Sequence, residues 1–560
     1  MQRKTMGNNK NIWDYAIDLR EVDIQTGCDA LKMYRGFDEG ETTDTDYNPF
    51  LMNDMNRAVD LFISIISNPS HPLVLICGDY DCDGLCATSI LVKGLAAVYD
   101  VSKIKYHIPN RLTDGYGLSE NTAQKIIDNH VGLVITVDNG ISATDAIKKL
   151  KDAGIPVIVT DHHQVPKDLP EADAIINCHR EDNTYPFEDL CGAAVAYKFL
   201  CAVSQRMKKA IDNKSAYEEM VMLATLADSV PLAGENRAIV KRGLALFNRK
   251  ETALSQGYFA GQKKETTVTG KDLSFNLIPK INAAGRLGYN APAMGLFAST
   301  NVNGVNYYLQ KLESMNTSRK EKCKAIVKDV EDLLVNDNDF DLPIVLYAKT
   351  WSKGLVGIPA ITIAQKYARP TFLLELDEHG MLHGSARSYG GFNIFQALEH
   401  CSSALDSFGG HPGAGGLSLH IDKISEFKRL LYEYTWENPF ENAPKRTADA
   451  YINLNYLTDH SLFNSVVDMD PFGEGNPEPL FMADVKINKI WPLGSTHVKL
   501  EVTDGIKTAI CLAFNCKDLF NDSSEAFHIN DNVTVVFTLN KNEWNGKVSI
   551  EMFLEDIFEQ

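Results

Sequence analysis

From residue 71 onward, short apolar runs alternate with stretches whose apolar residues recur every three or four positions. The runs at 73–77, 104–108, 133–137, 157–160 and 174–176 read as strands, and 85–98 and 143–153 carry helical spacing between them. That alternation predicts a doubly wound parallel sheet. Ligands of such sheets gather outside the carboxyl ends of the strands, so the residues just after each apolar run are where chemistry is expected.

Further along, 305–334 carries apolar residues at Val305, Tyr308, Leu309, Leu312, Met315, Cys323, Ile326, Val327, Val330, Leu333 and Leu334. This spacing predicts one long amphipathic helix, or two abutting ones, up to about 45 Å long. After residue 338 a second α/β unit is expected, with strands at 343–347 and 371–374 around a helix beginning near Gly357. It ends near the glycine-rich run 409–416, GGHPGAGG. From 446 the pattern changes to short alternating strands at 498–502, 508–513, 532–538 and 547–552, which suggests a small β-barrel of the OB type. The expected organisation is an N-terminal segment (1–50), a catalytic α/β domain (51–300), a connecting helix (301–340), a second α/β domain (341–445) and an OB-like domain (446–560). No internal repeat or low-complexity tract is evident.

Composition adds limits rather than detail. The 560 residues, 44% hydrophobic and 23% charged, are ordinary for a folded protein of several domains. The basic start, Met1 to Lys4, is followed by polar residues rather than the apolar core of a signal peptide, and no uninterrupted apolar stretch approaches the length of a membrane span. A cytoplasmic protein without membrane attachment is the expectation. The 11 cysteines form no paired-ligand spacing and read as buried small hydrophobes. A net charge of −19 argues against a protein that coats nucleic acid, because nonspecific binding rests on Lys and Arg neutralising phosphates. For a DNA substrate, positive charge must be local, and bound divalent cations can supply part of it.

The acidic residues are concentrated where the sheet rule points. The 73–77 run leads directly into Gly78-Asp79-Tyr80-Asp81-Cys82-Asp83-Gly84, with three carboxylates in five residues. A solvated helix-capping turn would want one Asp, not three in alternation. Such crowding is costly unless something positive sits among the charges. The next strands repeat the arrangement: 133–137 ends at Asp138-Asn139-Gly140, and 157–160 ends at Asp161-His162-His163. Asp228 follows the apolar helical stretch 223–227. Together Asp79, Asp81, Asp83, Asp138 and Asp228 would supply five carboxylates to one pocket, with His162 as a neutral nitrogen ligand. Two divalent cations would nearly cancel that charge and let the pocket receive a phosphodiester. Oxygen-rich ligation with one imidazole and no thiolate favours Mn²⁺ or Mg²⁺ over Zn²⁺.

These segments resemble the four motifs of the DHH phosphoesterase superfamily, in the order found in RecJ exonucleases. The 279–288 stretch PKINAAGRLG, the 316–320 segment, Gly384-Ser385-Ala386-Arg387-Ser388, the GGHPGAGG run and 471–477 (PFGEGNP) are also similar to RecJ stretches. The resemblance implies that Asp83, Asp138, His162 and Asp228 hold one metal, and that Asp81 and a bridging Asp138 hold the second with Asp79 nearby. It implies that His163 contacts the scissile phosphate and that Asp161 orients its neighbours. Ser385, Arg387, Gly409, Gly410 and His411 look like a pocket for a terminal 5′ phosphate, with Arg111 beside it, and Arg286, Asn316 and Arg319 would line the strand's path. One departure is visible at Ser352, where RecJ proteins typically carry His.

The activity so implied is 5′ to 3′ hydrolysis of single-stranded DNA to 5′-mononucleotides in repair and recombination. A monomer is expected, with a single-strand-binding protein and a helicase as partners by family analogy. Two other readings are a DHH phosphodiesterase of short oligonucleotides or cyclic dinucleotides, and a non-catalytic DNA-binding replication subunit. The residues beyond 446 argue against the first, and the intact acidic motifs argue against the second.

Overall fold

The apolar runs become a five-stranded parallel sheet whose spatial order is Ile104–His107, Val74–Cys77, Leu133–Val137, Val157–Thr160, Ala174–Ile176. This computed structural model describes residues 12–37, 46–115, 117–262, 267–335, 337, 339–441, 443–458, 460–520, 526–544 and 547–560. The basic start and the polar stretch through Asn11 lie outside the described residues. Alternate strand residues divide between two layers, as a sheet buried on both faces requires. Val74, Ile76, Leu133, Ile135, Val137, Ile158 and Ile176 join a core with the helices Met55–Ile66, Cys82–Leu95, Gly192–Met207 and Lys214–Ala227. Cys77, Val134, Val157, Val159 and Ile175 join a second core with Glu120–Asp128 and Thr144–Asp152. The chain leaves Val74–Cys77 outward to Ile104–His107 and then returns to Leu133–Val137 on the other side. The order therefore reverses between the strands that end at Asp79 and Asp138, and such a switch point opens a crevice at the strands' carboxyl ends.

Two compact units divide the chain. One comprises Thr42–Lys322 with Pro471–Pro477, and the other Met1–Glu41, Cys323–Asp470 and Glu478–Gln560. The 471–477 segment belongs with the parallel sheet because the Leu232 N–H donates to the Glu474 carbonyl (2.8 Å). The expected long helix is Val302–Leu334, 33 residues, about 50 Å at 1.5 Å per residue, and the chain passes from the first unit to the second along it.

In the second unit, a mixed sheet runs in the order Ser407–His411, Ala414–His420, Met381–Arg387, Thr371–Leu376, Ile344–Ala348, antiparallel except for its last pair. Beyond it, Phe481–Leu493, His497–Thr503, Thr508–Ala513, Lys547–Glu559 and Asn532–Trp544 pair in sequence, and Asn532–Trp544 pairs back onto Phe481–Leu493. The expected barrel is thus closed and five-stranded, which removes its sheet edges. The strand Ile12–Asp18 lies parallel to Lys445–Tyr451, which extends the barrel sheet. The helix Ile24–Tyr34 follows, and its Gly27 lies against Tyr456, where a Cβ would stand 2.3 Å from the hydroxyl. Among the described residues no helix is long and apolar enough to cross a membrane.

Candidate metal centre and anion-binding face

Backbone geometry at the switch point carries each acidic side chain inward. Asp81 caps the helix Cys82–Leu95, accepting from the Gly84 N–H (3.1 Å). Asp83, in the first turn, accepts from the Gly192 and Ala193 N–H groups, both at 2.7 Å. Those donors are at the start of Gly192–Met207, where unpaired N–H groups and the helix dipole favour a carboxylate. Asp138 adopts a left-handed conformation (φ +59°), which Asp tolerates better than most residues, and this turns the chain as it leaves the strand. The Asn139 amide donates to the Cys77 and Val137 carbonyls (3.0 and 2.8 Å), tying the two strand ends together. Gly192 has to be glycine, since a Cβ would stand 2.5 Å from the Asp138 Cβ.

His162 Nε2 lies 3.1 Å from Asp138 Oδ1, 3.6 Å from Asp228 Oδ2 and 3.8 Å from Asp83 Oδ2. Ligand atoms of Asp83, His162 and Asp228 fall within 4.8 Å of one another, as do those of Asp79, Asp81 and Asp138, and those of Asp138, His162 and His163. The five carboxylates and two imidazoles from separate strand and helix ends therefore converge. Burial, with the neighbouring Asp81 charge, pushes Asp83 up to about 7. Burial, then Asp83 and Asp81, push Asp228 up to about 9. Asp79 and Asp138 rise for the same reasons, burial first. His162 falls to about 3, through burial and then the His163 charge, so its imidazole is neutral at pH 7. Its Nε2 and Asp79 Oδ1 are buried without a hydrogen-bond partner. Carboxyl groups this crowded, which hold protons until a positive charge replaces them, around a neutral imidazole with an unsatisfied buried nitrogen, are the donor set a divalent cation fits.

Asp161 has a different part. It accepts from the His162 N–H (2.8 Å), the His163 N–H (3.2 Å), His163 Nδ1 (2.8 Å) and the Ile141 N–H (2.9 Å). Burial opposes its charge, yet the bond and charge of His163 hold it below the usual carboxylate range. Burial also opposes charge on His163, and Asp161 overrides it, raising the imidazole to about 9. The pair is an ion pair at neutral pH, and one imidazolium stands beside the acidic cluster.

The helix Ile278–Arg286 braces the acidic loop: the Cys82 N–H donates to Asn282 Oδ1 (2.8 Å), and a Cβ on Gly285 would meet the Tyr80 carbonyl at 2.2 Å. The sequence reading gave Asn282 and Asn139 no role, and only their place within otherwise recognisable motifs marks them. Arg111 lies over the Tyr80 ring (5.0 Å from its centroid), and Arg286 is close enough to act electrostatically on the same phenol. Asn316 is buried and accepts from Arg319 Nη2 (2.7 Å) one turn along the long helix.

Ser385, Arg387, Gly409, Gly410 and His411 lie in the second unit, on its mixed sheet. Pairing puts Arg387, Ala414 and His411 in one row across three strands and Ser385, Gly416 and Gly409 in the next. Residues two apart share a face, so Ser385, Arg387, Gly409 and His411 stand on one side and Gly410 on the other. Gly409 has no atom within 4 Å of a Cβ position, and Gly416 has only a carbonyl at 3.9 Å, so the face beside Ser385 is bare backbone. The helix Gly357–Tyr367 begins over it, with a Cβ on Gly357 placed 2.9 Å from Arg387 Nη2 and 3.1 Å from Ser385 Oγ. A helix start, a guanidinium and a hydroxyl around bare glycine backbone have the chemistry of an anion site. Ser352 sits just before it, its carbonyl accepting from the Leu355 and Val356 N–H groups.

Comparison with known proteins covers most of the chain. The DHH family, N-terminal domain, matches residues 73–225, the DHHA1 domain 343–437 and the RecJ OB domain 448–556. The single-stranded-DNA-specific exonuclease RecJ of Bacillus subtilis is 30% identical over 548 residues, 94% of this chain and 67% of that protein. The protein of the same name from Haemophilus influenzae is 30% identical, covering 91% of both chains. The crystal structure of RecJ in complex with Mn²⁺ from Thermus thermophilus matches 98% of this chain and 79% of that one, at 25% identity and a TM-score of 0.80. The chain belongs to the RecJ family of single-stranded-DNA-specific exonucleases.

Proposed function

We propose that the chain hydrolyses single-stranded DNA from its 5′ end, releasing 5′-mononucleotides, with two divalent cations, Mn²⁺ or Mg²⁺, held in the acidic cage. The observation that carries this is that ligand atoms of Asp83, His162 and Asp228 lie within 4.8 Å of one another and those of Asp79, Asp81 and Asp138 form a second such group, with Asp138 Oδ1 3.1 Å from His162 Nε2. In this reading Asp83, Asp138, His162 and Asp228 would hold one cation, and Asp81 and Asp138 would hold the other, with Asp79 beside them. When bound there, cations would supply charge neutralisation for the phosphodiester and lower the pKa of an attacking water.

The remaining work falls to the protein. His163, kept protonated by Asp161, places a positive donor on the scissile phosphate as negative charge develops there. Asp161 also fixes the His162 backbone, which orients that ligand. Ser385, Arg387, Gly409, Gly410 and His411 receive the terminal 5′ phosphate through backbone N–H groups and a bidentate guanidinium. Arg286, Asn316 and Arg319 line the path of the strand. The domain division 1–50, 51–300, 301–340, 341–445 and 446–560 accompanies this reading, with the barrel holding the strand by stacking and backbone contacts. By family analogy the enzyme works as a cytoplasmic monomer alongside a single-strand-binding protein and a helicase in DNA repair and recombination. The match of the RecJ OB domain to 448–556 speaks against a short-substrate phosphodiesterase, and the intact ligand set against a non-catalytic subunit.

End-labelled single- and double-stranded DNA, with and without Mn²⁺, test the proposal beside Asp138→Ala. Expected are mononucleotides from the 5′ end of the single strand only, dependent on metal and absent in the variant. Inactivity of the wild-type chain on every single strand would refute it.

A further inference from the structure

The acidic cage is continuous, within its own unit, with a surface strip in which aromatic rings and cations alternate. Arg111 lies over Tyr80 in the acidic loop, and Arg286 acts on the same ring. Three residues on, Tyr289 is presented rigidly: Gly288 turns the chain (φ +72°), the Tyr289 N–H donates to the Ala284 carbonyl (2.9 Å), and the Asn110 amide donates to the Gly288 carbonyl (3.1 Å). Asn290 next to it donates to the Pro109 carbonyl (3.3 Å), so the turn bearing Arg111 and the turn bearing Tyr289 are clamped together. On the helix Val302–Leu334, near enough to Tyr289 to feel its electrostatics, the Lys311 ammonium stands 4.5 Å from the centre of the Tyr307 ring. The Lys311 pKa is raised, first by its hydrogen bond to Tyr307, with smaller electrostatic contributions from Tyr307, Tyr289 and Tyr308.

Tyr289 is 59% exposed and Tyr307 52% exposed. Exposed rings forgo the burial that usually places aromatic side chains in cores, while they keep a face on which a base can stack. A cation on one such ring and near a second supplies a phosphate contact beside stacking faces, with no need to read a sequence. The net charge of −19 makes any local cation-and-ring surface next to the cage stand out against its surroundings.

We propose that Tyr289, Lys311 and Tyr307 form an outer binding site for single-stranded nucleic acid, stacking bases beyond the nucleotide being removed and neutralising one phosphate between them. This rests on the reading of the cage as a single-strand nuclease centre, and it assigns that centre a second, sequence-independent grip. The grip makes long strands bind more tightly than fragments too short to reach it.

The test compares Tyr289→Ala, Tyr307→Ala, their double variant and Lys311→Ala with wild type and with the surface control Trp436→Ala in the other unit. Binding of fluorescein-labelled oligothymidylate of roughly 20 nucleotides is followed by anisotropy without divalent metal, and hydrolysis of a dinucleotide with Mn²⁺. Each tyrosine variant is expected to bind the long strand about tenfold more weakly. Lys311→Ala should flatten the plot of log affinity against log salt by roughly 0.7, the share of one single-strand phosphate. Dinucleotide hydrolysis and the Trp436→Ala chain should match wild type. A double tyrosine variant that binds the long strand as tightly as wild type overturns the inference. If the wild-type chain cleaves no strand, the reading of the cage fails instead, and the metal-free titration still decides the strip.

Discussion

In the proposed function the acidic cage and the glycine face handle phosphate in opposite ways. In the cage, side chains do everything: six converging groups, Asp79, Asp81, Asp83, Asp138, His162 and Asp228, crowd so much negative charge together that protons or bound cations must offset it. On the face of the mixed sheet, side chains are mostly withheld, and Gly409 and Gly416 leave backbone bare beside Ser385 and Arg387. The glycine face relies on backbone and one guanidinium, so a substitution there should change preference more than it changes the fold.

That contrast is broken most severely by Asp83→Ala, which removes a ligand and leaves the Gly192 and Ala193 N–H groups without their acceptor. Cleavage of single-stranded DNA in Mn²⁺ should fall by on the order of 10³ or more. Arg387→Ala should act on the end of the strand instead. The ratio of kcat/KM for 5′-phosphorylated over 5′-hydroxyl strands is expected to drop by roughly 10- to 100-fold, the worth of a charge-assisted contact.

A pair of glycine substitutions separates the two designs further. Gly416→Ala meets only a carbonyl at 3.9 Å, so the thermal midpoint should stay within about 2 °C while the preference for a 5′ phosphate is lost by about tenfold. Gly192→Ala drives a methyl group against Asp138, and Mn²⁺ affinity should fall by about 10- to 100-fold.

The smallest effect isolates burial from convergence. Glu219 is buried and takes a hydrogen bond from Thr252 (2.5 Å), and burial, opposed by Thr252 and Ser255, raises it to about 7 from an ordinary 4.5. Because its folded pKa is the higher one, its stabilising contribution is full below about 4.5 and is lost as pH rises through about 7. Urea unfolding of the metal-free chain should therefore show Glu219→Gln gaining on wild type by on the order of 1–2 kcal/mol across that window. Mn²⁺ binding should be unchanged, since a lone buried carboxylate is not a cation site.

The sequence revealed what local pattern encodes. Apolar runs ending in Asp or His located the sheet, its strand ends and the cage residues, because a strand's carboxyl end is fixed by the run itself. Boundaries slipped where side-chain capping decided them: the helix expected from 85 begins at Cys82, since Asp81 caps it. Partners distant in sequence stayed hidden. Asn282 bonding to the Cys82 N–H, the Gly192 helix start holding Asp83, and Ile12–Asp18 pairing with Lys445–Tyr451 are all tertiary choices that no local period records. The glycine face was visible as a motif, but its open side follows only from strand register.

Calorimetric titration of Mn²⁺ into the metal-free chain, run in two buffers of different ionisation enthalpy, tests the cage most directly. Two ions per chain should bind with release of protons from Asp83 and Asp228, which burial and mutual repulsion hold above their ordinary range. Affinity should rise with pH, and Asp138→Ala should lose both ions. Full stoichiometry and undiminished affinity in Asp138→Ala would contradict the account.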